Sequence, residues 1–148
     1  MTSKQFFYNF GKAIYHIDAF YAEYAKKSNV SPALLWILYA LNDGNPHTQI
    51  EISTDWALPK TTINTVIKEI EEKGFIDLVP IKGKRREMTV VLTKSGKEYA
   101  DTLLSDLYKI EKTVFKKLSE EEMKAAESLE KICDGLIESQ TFGLLTEF

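Results

Sequence analysis

Lys60, Thr61, Thr62, Asn64, Thr65 and Lys68 lie within nine residues and carry the chemistry that organises this chain. They alternate with Ile63, Val66, Ile67 and Ile70, an i, i+3, i+4, i+7 spacing that lays one apolar stripe along a helix. The spacing predicts a helix over residues 60–73 with a core side and an outward side of short polar and basic groups. Asn can pair with an adenine edge, a Thr methyl can meet a thymine methyl, and Thr hydroxyls can bond base edges or phosphates. Lys60 and Lys68 suit phosphate neutralisation. A second basic group, Lys82, Lys84, Arg85 and Arg86, crowds the loop between two strand-like runs, where it can grip a backbone or enter a narrow minor groove.

The neighbouring residues are those needed to hold such a reader. Thr48-Gln49-Ile50-Glu51 is a capping box that opens a short helix to about Thr54. Ala57, Leu58 and Pro59 make the turn into the next helix, and Gly74 stops that helix, since glycine tolerates a left-handed C-cap. Residues 75–80 and 88–92 read as two strands, with Val90 and Leu92 on one face and Gly83 in the turn between them. Helix, turn, helix and basic hairpin in this order is a winged helix-turn-helix, spanning about residues 31–93. The predicted fold class is mainly α with a small β-hairpin wing and flanking N- and C-terminal helices, in one domain over 1–148.

Those flanks are long helices. Phe6, Phe10, Ala13, Ile17, Phe20 and Tyr24, widened by Phe7, Ile14 and Tyr21, give residues 4–27 an apolar face broader than one neighbour helix covers, which suggests a second subunit. Ser31-Pro32 opens the next helix as N-cap and first residue. Thr93 caps a helix to about Lys117 with the stripe Leu103, Leu107, Ile110, Val114, Leu118. Ser119 and Glu122 form another capping box before a last helix, with Leu129, Ile132, Cys133, Leu136 and Ile137 expected inward. The apolar tail residues Phe142, Leu144, Leu145 and Phe148 also call for a partner surface.

Charge is unevenly distributed. The formal net charge of the 148 residues is −3, yet residues 59–97 hold 9 basic and 5 acidic side chains while residues 98–148 hold 6 and 12. The positive block coincides with the reading helix and wing. One cysteine excludes an intrachain disulfide. No signal-peptide pattern and no apolar run near the ~20 residues of a membrane span occur, so a cytoplasmic protein without membrane association is expected. No phosphate loop, nucleophile elbow or metal-ligand spacing occurs, and His16 and His47 are the only histidines. The expectation is no enzyme activity, no cofactor and no metal.

The ordered set resembles the MarR family of bacterial winged-helix regulators. The resemblance is carried by Thr48 to Ile52, Lys60 to Ile63, Ile70 to Ile76, Arg85-Arg86, Leu92 to Lys97 and Leu118 to Glu122, and it spans nearly the whole chain. It implies a homodimer whose terminal helices, about 1–28 and 94–148, interlock, and a pseudo-palindromic double-stranded operator bound by a regulator, usually a repressor. It also implies a site for a small aromatic or anionic effector near the junction of flanking helices and winged lobe, where Tyr15, His16, Trp36 and Tyr39 are the candidates. One residue departs from the family: its wing usually carries an aspartate before the paired arginines to orient one of them, and here that residue is Lys84. The rival reading is a winged-helix protein-interaction module that no longer binds DNA.

Overall fold

A computed structural model describes residues 1–141, so the apolar tail residues named above lie outside the described residues. The chain divides into two compact units, Met1–Leu107 and the part from Tyr108 onward. The division falls inside a helix.

In the first unit, α1 (Ser3–Lys27), α2 (Pro32–Leu41), α3 (Gln49–Trp56) and α4 (Lys60–Glu72) precede β2 (Ile76–Pro80), β3 (Met88–Leu92) and the start of α5 (Lys94–Phe115). A two-residue strand that the sequence did not suggest, β1 (His47–Thr48), adds to the hairpin and makes a three-stranded sheet in the order β1-β3-β2. Both pairings are antiparallel, with His47 opposite Val90 and Ile76 opposite Leu92. No periodicity can show in two residues, which is why β1 was illegible.

The capping chemistry is as expected. Ser31 accepts from the Leu34 amide, Thr48 from the Glu51 amide, and Glu51 reaches back to the Thr48 amide. The helix opened by Thr48 runs two residues further than expected, to Trp56, and ends at Ala57 in a left-handed conformation (φ 50°). Thr93 accepts from the Gly96 amide and so caps α5.

The core of this unit is made of Leu34, Leu35, Ile37, Leu38 and Leu41 of α2, Ile52 of α3, the four apolar residues of α4, Ile76, Val90, and Ala100, Leu104 and Leu107 of α5. Burying each of these leucine, isoleucine and valine side chains contributes about 1.5–3 kcal/mol. The α5 stripe differs from expectation: Leu104 is buried and Leu103 only partly so, while Ile110 and Val114 are exposed.

The second unit holds the end of α5 and α6 (Glu120–Thr141). The Ser119–Glu122 capping box is present in both directions. Among the described residues its apolar side chains are only partly covered. Leu129 and Ile132 are partly buried, but Leu136, Ile137 and Cys133 are exposed, so the expected core position of Cys133 is corrected. An apolar stripe marks a face that seeks cover, and periodicity cannot say whether the cover belongs to the same chain.

Candidate nucleic-acid interface

The outward side of α4 follows from what its other side buries. Ile63, Val66, Ile67 and Ile70 are at most 6% exposed, which fixes the rotation of the helix. Lys60, Thr61, Asn64, Thr65 and Lys68 are then exposed, and Thr62 stands at the margin, half-buried. The Thr65 hydroxyl donates to the Thr61 carbonyl at 3.0 Å, so it meets a ligand mainly as an acceptor. Pro59 starts α4 without a side-chain cap, which leaves its first-turn amides free of any side-chain partner.

Both ends of α4 are tied. At its start, the Ser53 hydroxyl of α3 donates to the Leu58 carbonyl at 2.7 Å and closes the turn between the two helices. At its end, the Gly74 amide bonds the Glu71 carbonyl and the Phe75 amide bonds the Ile70 carbonyl, both at 2.9 Å, around Gly74 at φ 74°. This pair of bonds is a Schellman C-cap. The Gly74 carbonyl then accepts from the Thr93 and Ser95 hydroxyls at 2.7 and 3.0 Å, binding the end of α4 to the start of α5.

In the wing, Gly83 turns at φ 86° and Lys82, Lys84, Arg85 and Arg86 are all exposed. Lys84 is not a free cation. Its Nζ lies 3.0 Å from Glu87 Oε2, an ion pair that spans the paired arginines. Where the family pattern has an acid before the arginines, this chain has a base there and an acid after them. Lys60, Lys68, Lys82, Arg85 and Arg86 have no acidic partner among the described residues. Lys73 and Lys97, flanking this surface in sequence, are paired with Glu69 and Asp101.

Gln49 and Ile50 join the two basic groups, and sequence reasoning missed them. A cleft between α3 and α4 is lined by Gln49, Ile50, Lys60, Ile63 and Asn64, and a second between α3 and the wing by Thr48, Gln49, Ile50, Leu78, Arg86, Glu87 and Met88. Ile50 is 56% exposed between them. Its signal was present: an isoleucine in the first turn of a capped helix, out of step with Ile52, which takes the core.

The candidate effector residues separate into two pairs. Trp36 and Tyr39 belong to a half-buried aromatic cluster with Tyr21 and Trp56, the two indoles stacked at 5.0 Å. Tyr15 and His16 are exposed on α1. Trp56 and Tyr21 were not anticipated as partners of Trp36, because the contact is made across three helices. Among the described residues no group of three or more His, Cys, Asp or Glu side chains could hold a metal ion, and no helix is long and apolar enough to cross a membrane.

His47, in the edge strand β1, lies between two carboxylates. Its Nε2 is 2.8 Å from Asp43 Oδ2 and its Nδ1 is 3.7 Å from Glu51 Oε2. Partial burial works to raise the Asp43 carboxyl, but the Asn45 amide and the His47 ring outweigh it and hold Asp43 below the usual carboxylate value. The Lys97 ammonium and the Asn42 amide hold Asp101 below its usual value too.

No protein-family model matches the chain. A curated relative, the HTH-type transcriptional repressor NicR of Pseudomonas putida, is 31% identical over 67 residues, which is 45% of this chain and 42% of that protein. The chain thus matches less than half the length of that relative. Solved structures match far more of it. The MarR family regulator NMB1585 from Neisseria meningitidis superposes with a TM-score of 0.76 at 23% identity, over 90% of this chain and 94% of that one. MepR of S. aureus in a DNA-binding conformation gives a TM-score of 0.72 at 20% identity, over 88% and 98%. The family resemblance carried by the capping boxes, the glycine stop and the wing is borne out in the backbone: across nine-tenths of its length this chain has the winged helix-turn-helix fold of the MarR family regulators.

Proposed function

We propose that this chain is a MarR-type transcriptional regulator that binds a pseudo-palindromic double-stranded operator as a homodimer in the cytoplasm and acts as a repressor. The observation that carries this reading is the clustering of exposed cations with short polar side chains, Lys60 and Lys68 beside Asn64 and Thr65 on α4 and Lys82, Arg85 and Arg86 on the wing. Asn64 and the threonines supply direct readout between those cations, and the wing tracks the adjacent groove. Two such lobes would enter successive major grooves about one helical turn apart. The repressor sense is supported by the name of the NicR relative.

The dimer reading is supported by apolar side chains that are exposed among the described residues. Phe7, Ile14, Ile17 and Phe20 on α1, and Leu136 and Ile137 on α6, are exposed. A small aromatic or anionic effector is proposed beside the Trp36–Tyr39 cluster, with Tyr15 and His16 on the α1 side. It would regulate only by binding the DNA-competent and DNA-incompetent states unequally.

Fluorescence anisotropy against the chain's own promoter region, with random DNA as competitor and across salt concentrations, tests the central reading. Arg86→Ala and Lys60→Ala should each weaken binding and lower the slope of log affinity against log salt by about one per protomer. If neither substitution changes affinity or slope, the surface is not a DNA interface.

A further inference from the structure

Ile50 stands in the first turn of α3, two residues before Ile52, and the two isoleucines take opposite sides of the helix. Ile52 is 1% exposed in the core, whereas Ile50 is 56% exposed. A single exposed isoleucine is ordinary on a protein surface. This one has apolar company. It lines both clefts beside α3, one shared with Lys60 and Asn64 of α4 and one shared with Leu78, Arg86 and Met88 of the hairpin. Met88 lies two residues from Val90, on the same face of β3. Val90 is fully buried, but Met88 is past the edge of the core and 44% exposed. Leu78, opposite Val90 across the hairpin, is half-buried. The result is a short apolar strip with Lys60 on the α4 side and Arg86 on the wing side. Glu87, the acid in the second cleft, is already paired with Lys84 at 3.0 Å.

Two properties of the strip select its occupant. The clefts hold about 260 and 130 Å³, each below the roughly 300–1,000 Å³ of a small-molecule site. Cations on both sides favour a polyanion, and a polyanion that reaches from α4 to the wing must cross Ile50. We propose that Ile50, backed by Met88, is an apolar DNA contact that packs on carbon surface of the duplex, a thymine methyl or a deoxyribose, between α4 and the wing. This role rests on the DNA-binding reading above and adds to it a contribution that salt does not screen. Lys60 and Arg86 act by displacing counterions, so their share of the affinity falls as salt rises. Burial of Ile50 removes apolar surface from water, and its share stays nearly constant over the same range.

The test titrates a fluorescent duplex from the chain's own promoter region with the full chain, Ile50→Ala, Ile50→Leu and Arg86→Ala, at several salt concentrations. Ile50→Ala should raise the dissociation constant by about tenfold, the loss of roughly two buried methylene equivalents. The factor should be the same at each salt concentration, so the lines of log affinity against log salt stay parallel. Arg86→Ala should change the slope instead. Ile50→Leu keeps the apolar volume and should bind within about threefold of the wild type. Because Ile50 is exposed, Ile50→Ala should leave the denaturant midpoint unchanged, which separates a lost contact from a lost fold. A duplex with deoxyuridine in place of thymidine locates the contact. A penalty that vanishes there assigns it to a thymine methyl, and a penalty that stays assigns it to a deoxyribose. Wild-type binding with Ile50→Ala affinity unchanged, or with a loss that comes as a change of salt slope, overturns the proposal alone. If the wild-type chain does not bind the duplex, the DNA-binding reading fails, and this contact fails with it.

Discussion

At the scale of single residues, the wing shows how local pairing changes a residue's role. Lys84 counts as a basic group in the sequence, but the Glu87 carboxylate at 3.0 Å already neutralises it. Lys84→Ala should therefore lower the salt slope of DNA binding clearly less than Arg86→Ala, measured in the same titration. Equal losses would mean that the ion pair opens on DNA. Ala57 is a second case. It holds a left-handed conformation at φ 50°, which costs a non-glycine residue about 1–2 kcal/mol. Ala57→Gly relieves that strain but loosens the unfolded chain by about 0.4–1 kcal/mol, so a net gain of about 0.5 kcal/mol in denaturant unfolding is expected. Asp43 gives a pH signature. Its folded-state carboxyl is held below the usual value, so its contribution is present above the ordinary carboxylate pKa of about 3.9 and is lost as pH falls through the folded value. Asp43→Asn should lower the melting temperature by about 1–2 °C at pH 7, and the gap should close on acidification below about pH 3.9. A gap that persists at pH 2.5 would rule out ionic stabilisation by this residue.

At the scale of elements, the reading helix is held by its ends and by one closely packed crossing. A Cβ added at Gly96 would stand 1.8 Å from the Phe75 carbonyl oxygen, far inside any real contact. Here glycine is required by backbone approach and not by φ. Gly96→Ala must push α5 away from the strand start, stretching the Thr93 and Ser95 bonds to the Gly74 carbonyl. The expected loss is about 1–3 kcal/mol or more in denaturant unfolding, with DNA affinity falling alongside. Much of this level was legible in sequence. The capping boxes at Thr48 and Ser119, the Pro32 start and the Gly74 stop are local chemistry, decided within four or five residues. The strand at His47 and the close crossing at Gly96 were not, because both are made by partners more than twenty residues away.

At the scale of the whole molecule, the exposed apolar faces call for cover. Within the first unit, Phe6, Phe7 and Phe10 cluster with each other, ring centroids 5.1–6.3 Å apart, and Phe7 remains 45% exposed. A homodimer that buries this face should show a melting temperature that rises with protein concentration. Phe7→Glu should raise the dimer dissociation constant by about tenfold or more in sedimentation equilibrium, since a charge in an apolar interface must be desolvated without a partner. Sedimentation unchanged from wild type would remove α1 from the interface.

The sequence alone determined the helix rotations, the caps, the winged helix-turn-helix order and the basic surface, because each follows from periodicity or from contacts a few residues long. Tertiary structure alone decided which cations are free. It withdrew Lys84 by pairing it with Glu87 and added Gln49 and Ile50 between helix and wing. It also turned Cys133 outward, joined Trp36 to Trp56 and brought the Tyr24 hydroxyl to the Leu103 carbonyl and the Leu107 amide of α5. The physical reason is common to most of these. A side chain's type and period are written along the chain, but its partner is chosen in space, and the partner decides whether a charge is neutral or a ring is buried. The reading helix itself keeps the face its isoleucines assign it, and the partners around it decide which of its neighbours read with it.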